Sequence, residues 1–335
     1  MSRILIPDAQ FPDDHSLERD AAAPCELQVE RARKPEDIAP QDWAAADALV
    51  VYHRMRYGAE IAERCPRVRL LCRVGVGVDT VDLEAWTSRG VAVCNVPDYG
   101  TGEVADHAVA MLLALARGLF AYQGRLASGR RADFLSLPMP DHVRRLSGAR
   151  LLLLGLGPIA IATARRAQAF GMQVAAWAPR MKGGLDLALG IAREHDLHAA
   201  LGRADMVSLH LALTDETRNL IDAAALAALP PGALLVNTAR GALVDLEALT
   251  EALRSGRLGG AALDVFPVEP PDPAHPLVAA VRDGADWAQG RVILSPHAAW
   301  TSPEAMVDMR RGAVLTARRL LVDGVLTNVV AAPPR

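Results

Sequence analysis

The chain has 335 residues, a net charge of −3 and a composition that is 51% hydrophobic and 22% charged. This length predicts two domains with enough apolar material for a core in each. The charge gives no sign of a nucleic-acid or membrane partner. Because only Lys34 and Lys182 are lysines, few candidates exist for Schiff-base chemistry.

The four cysteines show no CxxC pair and no metal-ligand spacing, so we expect no metal site and reduced thiols. The N-terminus begins with a strand-like run, SRILIP, and shows no signal-peptide core. The most apolar helical stretch, AVAMLLALARGLFAY, is interrupted by Arg117 and is too short for a membrane span. The sequence therefore predicts a cytoplasmic protein, and this stretch is expected to be a buried or subunit-interface helix.

Short apolar runs alternate with helical patterns along the chain, which predicts α/β architecture with parallel sheets. The first sheet should contain RILIP, LQVER, ALVVYH, VRLLCRV and VAVCNV. A helix near Thr101 leads to a second sheet, expected to contain RLLLL, QVAAW, DMVSLHL, ALLVN, GGAALDV and RVILS. Residues 128–147 form a polar, proline-containing connection. The amphipathic helix predicted at 302–324 returns to the first unit, which makes that domain discontinuous.

A glycine-rich turn, Gly155-x-Gly157-x-x-Ala160, lies between the strand RLLLL and a helix. The first glycine permits the turn, the second lets a pyrophosphate approach the backbone, and the small third residue lets helix and strand pack closely. The pyrophosphate would lie at the helix N-terminus, where N–H groups point outward. Pro158 suits the first helical turn but removes one donor from this anion site. We predict a bound dinucleotide here.

The position after the second strand, which normally binds the adenosine ribose, has no acidic residue. The strand QVAAW is followed by Ala178, Pro179 and Arg180, whereas an Asp or Glu is expected there for the ribose 2′-hydroxyl. Arg180, with Lys182 nearby, could pair with a 2′-phosphate; alternatively, Arg180 is solvated surface and NAD binds without the acid. The cofactor is therefore NAD or NADP, with NADP slightly favoured.

Arg240, Glu269 and His297 lie in three motifs, VNTARGALVD, DVFPVEP and SPHAAW, each after an apolar run that predicts a buried strand. Each residue type alone is often structural. All three at strand ends, where open α/β sheets bind ligands, favour a catalytic set. A guanidinium, a carboxylate and an imidazole can hold a carboxylate substrate and move one proton.

The sequence resembles the D-isomer-specific 2-hydroxyacid dehydrogenases, and among them the branch of the C-terminal-binding proteins. The resemblance runs in order through RVGVGVDTVDL, AVCNVPDYGTGEVADHAVAMLLALAR, GLGPIA, VNTARGALVD, AALDVFPVEP and SPHAAW. It implies a flavodoxin-like substrate domain, residues 1–98 and 302–335, and an inserted Rossmann domain, residues 99–301. It also implies an active site in the cleft between the domains and a homodimer.

Carried over residue by residue, the resemblance implies His297 as acid/base, Glu269 as its partner and Arg240 on the substrate carboxylate. A nearby carboxylate stabilises the protonated imidazole, and the guanidinium fork suits a carboxylate. The resemblance also implies a substrate site comprising Tyr52, His53, Arg73, Val76, Gly77 and Trp300. The predicted cofactor contacts, from the glycine-rich turn, the missing acid and the resemblance together, are Thr101, Gly155, Gly157, Pro158, Ile159, Arg180, Thr238, Ala239 and Asp264.

The chain departs from the family pattern at Ala178, Pro158 and Ala160, where an acid, a basic residue and a third glycine are usual. These departures concern the cofactor and leave the catalytic set intact. Three alternatives stay open from the sequence. Tyr52, His53 and Trp300 could simply pack at a cleft, the protein could be a dinucleotide-responsive binding scaffold, and phosphite oxidation uses the same three catalytic residue types. Formate oxidation is disfavoured, because formate dehydrogenases resembling this set have Gln at the position of Glu269.

Overall fold

The computed structural model describes residues 1–127, 129 and 139–333 of the chain. Half of the connection predicted at 128–147 lies outside the described residues. The chain forms two compact units, one of Met1–Gly100 with Thr301–Arg335 and one of Thr101–Trp300. The domain boundaries expected at 98/99 and 301/302 lie close to these limits, and their functional assignment stays a prediction.

The first unit is built on a six-stranded sheet of order β13-β5-β4-β3-β1-β2. Its strands, numbered along the whole chain, are β1 Arg3–Ile6, β2 Glu26–Val29, β3 Ala48–Val51, β4 Leu70–Arg73, β5 Ala92–Cys94 and β13 Val329–Ala331. The first five pair in parallel, and β13 adds an antiparallel edge. The order reverses between β1 and β3, so the loops that follow these strands flank a switch point.

The helices of the first unit cover this sheet. They are α1 Ser16–Ala22, α2 Pro40–Ala45, α3 Ala59–Arg64, α4 Leu83–Thr87 and α13 Pro303–Arg318. Helix α13 starts at a Ser302 N-cap and continues into π-helical Arg319–Asp323. It packs on α1, β3 and β4, as predicted for the last helix. Arg310 on α13 fixes this packing through a 2.6 Å Nε–Oε1 ion pair to buried Glu18 on α1.

The second unit contains a seven-stranded sheet of order β12-β11-β10-β9-β6-β7-β8. Its strands are β6 Arg150–Leu154, β7 Gln173–Trp177, β8 Ala192–Glu194, β9 Met206–Leu209, β10 Ala233–Asn237, β11 Leu258–Leu263 and β12 Val292–Leu294. All pairings are parallel. The order reverses between β6 and β9, which places the glycine-rich turn after β6 at the switch point.

Helices lie on both faces of the second sheet. They are α5 Thr101–Ala116, α6 Leu119–Ala127, α7 Pro158–Ala169, α8 Leu185–Leu189, α9 Leu197–Leu201, α10 Ala223–Ala228, α11 Leu246–Arg254 and α12 Pro276–Asp283. Alternate residues of β6 enter opposite cores, with Leu152 and Leu154 in one and Leu151 and Leu153 in the other. Burial on both faces explains why this strand is a continuous apolar run.

The predicted fold class, α/β with two mostly parallel sheets, one of flavodoxin-like order and one of Rossmann order, is confirmed. Strands β8 and β13 were not predicted. In the described part of the chain no single helix is long and apolar enough to cross a membrane. Helices α5 and α6 reach that length and composition only as a pair bent by 59°.

Candidate active site

Three loops of the second unit carry the predicted catalytic residues. Arg240 follows β10, Glu269 follows β11 and His297 follows β12. These strands are neighbours in one parallel sheet, so their carboxyl ends lie along the same edge. The fold therefore brings residues far apart in sequence to one edge of the Rossmann-type sheet.

The imidazole of His297 is directly paired with the carboxylate of Glu269. Nδ1 of His297 lies 2.7 Å from Oε2 of Glu269, and the two side chains are 45% and 36% exposed. Glu269 Oε1 accepts a 2.9 Å hydrogen bond from the Phe266 N–H. Burial by itself raises the pKa of the Glu269 carboxyl, but these hydrogen bonds and the charges of His297 and Arg240 outweigh it. The net pKa lies below the ordinary value of 4.5, so the carboxylate stays ionised at neutral pH.

Arg240 is held by an unusually constrained loop. The buried amide of Asn237 donates to the Arg240 carbonyl at 2.9 Å and accepts from the Ala239 N–H at 3.0 Å. Arg240 Nη1 donates to the Ala239 carbonyl at 2.7 Å. At Gly241 an added Cβ would lie 1.9 Å from the Phe266 carbonyl carbon. The Arg240 loop thus approaches the Glu269 loop more closely than a side chain at Gly241 would permit.

The backbone of His297 adopts the left-handed conformation, with φ of 55°. Asp264, which is 1% exposed, holds this turn. Its carbonyl accepts from the His297 N–H at 2.7 Å. Its carboxylate accepts from the N–H groups of Ala298 and Ala299, both at 2.9 Å. The resemblance assigns Asp264 to the cofactor, and the structure gives it these contacts to the His297 turn as well.

The glycine-rich turn has the geometry of an anion site. Gly155 has φ of 98°, and a Cβ there would lie 2.6 Å from the His210 carbonyl oxygen. Gly157 is the N-cap of α7 and Pro158 its first residue. A Cβ at Gly157 would meet nothing within 4 Å, so space for a ligand lies over it. Ile159 and the next residue lie in the first turn of this helix, whose N–H groups have no partner within the helix and suit an anion.

Two threonines at predicted cofactor positions carry buried hydroxyls. Neither Thr101 Oγ1 nor Thr238 Oγ1 has a hydrogen-bond partner among the described residues. Buried polar atoms are normally paired, so both hydroxyls fit contacts to a bound polar molecule. With the open space at Gly157, they make the second unit compatible with a dinucleotide.

The turn after β7 has exposed basic residues and no acid. Arg180 and Lys182 are exposed, and Ala178 is partly buried. Arg193 on β8 donates from Nη2 to the Met181 carbonyl at 2.8 Å and so fixes the shape of the turn. For the described part of the chain, the structure records no ion pair of Arg180 or Lys182.

In the first unit, the predicted carboxylate-binding residues Arg73, Val76 and Gly77 lie at the end of β4 and in the loop that follows it. Arg73 Nη1 donates to the Val74 carbonyl at 2.6 Å. Its guanidinium lies across Gly75, where a Cβ would be 1.5 Å from Nη1. Asn95 Nδ2 donates to the Val76 carbonyl at 2.7 Å. No acceptor within the described ranges takes the N–H groups of Val76 or Gly77.

The remaining predicted substrate residues lie in different environments. Tyr52 is 3% exposed, and its ring packs edge-on against Phe11, with centroids 6.0 Å apart. Burial raises the pKa of its phenol, so this tyrosine stays neutral, and its burial supports a packing role. His53 is exposed and contacts Gln10 Nε2. Trp300 is half-buried at the end of the second unit. Their substrate contacts stay predictions.

The structure adds residues that the sequence reasoning missed. Buried Asp8 accepts from the N–H groups of Tyr52 and Arg54, at 2.8 and 3.1 Å, and so fixes the loop after β3. Ser295 donates to Asp264 Oδ1 at 2.5 Å, and His107 on α5 contacts Ser295. Ser295 is the first residue of the SPHAAW motif, so the sequence contained a signal that could have identified it. His107 lies 188 positions away from it, and no local pattern connects the two.

Comparisons with known proteins point to one family. The D-isomer specific 2-hydroxyacid dehydrogenase, NAD binding domain family matches residues 109–299. An (S)-sulfolactate dehydrogenase of Chromohalobacter salexigens is 38% identical, over 81% of this chain and 85% of that protein. A D-3-phosphoglycerate dehydrogenase of Methanocaldococcus jannaschii is 30% identical over 99% of this chain. The chain spans 60% of the length of that dehydrogenase.

A solved structure is similar over almost the whole length. The NADPH-dependent glyoxylate/hydroxypyruvate reductase of Sinorhizobium meliloti, in complex with NADP and malonate, has a TM-score of 0.84 and 28% identity. The match covers 100% of this chain and 99% of the other. The predicted likeness to the C-terminal-binding-protein branch stays a prediction. From the domain match and the relatives together, the chain belongs to the D-isomer specific 2-hydroxyacid dehydrogenase family.

Proposed function

We propose that the protein is an NAD(P)-dependent D-2-hydroxyacid dehydrogenase that interconverts a small 2-oxoacid and its 2-hydroxyacid. The observation that carries this proposal is the 2.7 Å contact between His297 and Glu269. These residues lie on the loops after β12 and β11, and Arg240 lies on the loop after the neighbouring β10. An acid/base pair beside a guanidinium provides what carbonyl reduction next to a carboxylate requires.

The pairing defines which nitrogen of His297 transfers the proton. An ionised carboxylate only accepts hydrogen bonds, so Nδ1 of His297 carries the hydrogen directed at Glu269. Nε2 is therefore the atom that donates a proton to the carbonyl oxygen during reduction and removes it during oxidation. Glu269 stabilises the imidazolium form, as the carboxylate of a catalytic triad does. A bound nicotinamide supplies the hydride in one direction and accepts it in the other.

Arg240 is proposed to hold the substrate carboxylate and to polarise the neighbouring carbonyl. Its planar guanidinium can bind a carboxylate through two parallel hydrogen bonds. The N–H groups of Val76 and Gly77, with Arg73, are proposed as further carboxylate donors. Among the described residues no other acceptor takes the N–H groups of Val76 and Gly77, which supports this role for them.

The dinucleotide is proposed to bind at the turn after β6. The residues proposed to hold it are Thr101, Gly155, Gly157, Pro158, Ile159, Thr238, Ala239 and Asp264. Exposed Arg180 supports NADP, since its guanidinium is available to a 2′-phosphate. Replacing Arg180 with Ala should raise the KM for NADPH about 10-fold or more, as loss of one charge-assisted pair predicts. The KM for NADH should change little; equal KM changes for both cofactors would argue against this role.

The substrate is best identified with a panel of acids assayed with NADH and with NADPH. Glyoxylate, hydroxypyruvate and pyruvate test reduction, and sulfolactate and 3-phosphoglycerate test oxidation. We expect turnover of at least one, with cofactor consumed in proportion. No turnover of any 2-oxoacid or 2-hydroxyacid, together with cofactor-dependent capture of a protein partner, would instead support the scaffold alternative.

A further inference from the structure

Behind the His297 turn lies a line of three polar side chains from three separate elements. His107 projects from α5, Ser295 follows β12 and Asp264 follows β11. His107 Nε2 lies 3.1 Å from Ser295 Oγ, and Ser295 Oγ lies 2.5 Å from Asp264 Oδ1. All three belong to the second unit. The proposed reaction gives no role to His107 or Ser295.

The hydrogen bonds in this line run in one direction. The Asp264 carboxylate accepts from the backbone N–H groups of Ala298 and Ala299, so it acts as an acceptor. A serine hydroxyl has one proton. In the 2.5 Å contact, Ser295 donates the hydrogen bond made by this proton to Asp264 Oδ1. Ser295 Oγ can then only accept from His107, so Nε2 of His107 must carry a hydrogen. His107 donates to Ser295, and Ser295 donates to Asp264.

The carboxylate at the end of this line holds the turn that carries His297. The N–H groups of Ala298 and Ala299 donate to the Asp264 carboxylate. The N–H of His297 donates to the backbone carbonyl of the same residue. The left-handed φ of His297 is unfavourable for a residue with a side chain and persists only where its surroundings impose it. The orientation of the Asp264 carboxylate therefore determines where the imidazole of His297 points.

We propose that Ser295 and His107 are positioning residues for His297. They fix the rotation of the Asp264 carboxylate, which in turn imposes the backbone conformation that directs the imidazole. This inference rests on the proposed function, in which His297 is the acid/base. A small displacement of a proton-transferring group lowers the rate of chemistry more than it weakens substrate binding. The role should therefore appear in kcat.

The first test compares kcat and KM of matched variants of the full chain. Ser295→Ala should lower kcat by about 10- to 100-fold while the KM for the 2-oxoacid stays within about twofold. Ser295→Thr, which keeps the hydroxyl, should restore most of the activity. His107→Leu should lower kcat, and His107→Gln, which keeps a donor, should recover it. His198→Ala, at an exposed position on α9, is the control for removing a histidine.

The second test asks whether His107 acts through Ser295. In the double variant S295A/H107L, removing His107 should have little further effect on kcat, because its hydrogen-bond acceptor is already absent and only the 3.8 Å approach of Nε2 to Asp264 Oδ1 remains. Independent multiplicative losses would show that His107 acts elsewhere and would overturn its assignment. Unchanged kcat in Ser295→Ala would overturn the whole inference.

A third test does not depend on activity. Hydrogen exchange of the Ala298 and Ala299 amides should accelerate in Ser295→Ala and in His107→Leu, and remain unchanged in His198→Ala. Equal protection in the parent and in Ser295→Ala would overturn the proposal. The His297→Ala variant separates the two levels of the argument. If it loses turnover while Ser295→Ala keeps it, the proposed function stands and the positioning role fails; if His297→Ala keeps turnover, the function itself fails.

Discussion

Replacing Gly241 with Ala should damage the catalytic set without touching any catalytic side chain. A Cβ at this position would lie 1.9 Å from the Phe266 carbonyl carbon, 2.2 Å from its oxygen and 2.3 Å from the Pro267 nitrogen. All three are backbone atoms, so no side-chain rotation relieves the clash. Reaching an ordinary separation of 3.4 Å requires the two loops to move apart by about 1.5 Å.

The movement separates Arg240 from the Glu269–His297 pair, because Phe266 donates its N–H to Glu269. A misplacement of about 1 Å can lower turnover about 100-fold, so we expect a loss of at least that order in kcat. Overpacking of this kind costs about 1–3 kcal/mol of stability.

The assay is steady-state turnover of the preferred 2-oxoacid, with urea unfolding measured in parallel. Gly58→Ala is the matched control, since a Cβ there meets nothing within 4 Å and its φ is −101°. The reasoning is refuted if folded Gly241→Ala keeps more than half of the parent kcat.

Two further predictions concern acidity and assembly. The Glu269 carboxyl has a lowered pKa in the folded protein, so its pairing stabilises the fold fully above its ordinary value of 4.5 and is lost as pH falls through the lowered value. The stability difference between the parent and Glu269→Gln should therefore shrink as the pH falls below that value; a difference that persists unchanged into strong acid would contradict the assignment. Leu119, Phe120 and Leu126 on α6 are 56%, 47% and 53% exposed. We propose that this apolar surface forms the interface of the homodimer that the resemblance implies. Phe120→Asp should shift the protein from dimer to monomer in sedimentation experiments, and a monomeric parent would reject the proposal.

Much of the fold could be predicted from the sequence because parallel strands that are buried on both faces consist of consecutive apolar residues. The runs RLLLL and ALLVN became β6 and β10, since helices cover both faces of their sheet. The two strands that were missed lack this signal. The strand β8, with sequence ARE, has two charged residues in three positions, and β13 pairs antiparallel at an edge.

The candidate site was predictable only in part. Arg240, Glu269 and His297 stood out because each follows a strand-like run. The left-handed φ of His297 could not be predicted from the sequence, because residues other than glycine seldom adopt this conformation. The contact of His107 with Ser295 depends on how α5 packs against the end of β12, and tertiary packing of this kind leaves no local pattern in one sequence.

The central claim is that His297 transfers the substrate proton, and the most direct measurement is kcat of His297→Ala with each 2-oxoacid that the parent reduces. We expect a loss of about 10²–10⁴-fold, the usual contribution of a positioned acid/base, with binding of the dinucleotide retained. Near-normal reduction of every accepted 2-oxoacid by this variant would contradict the account.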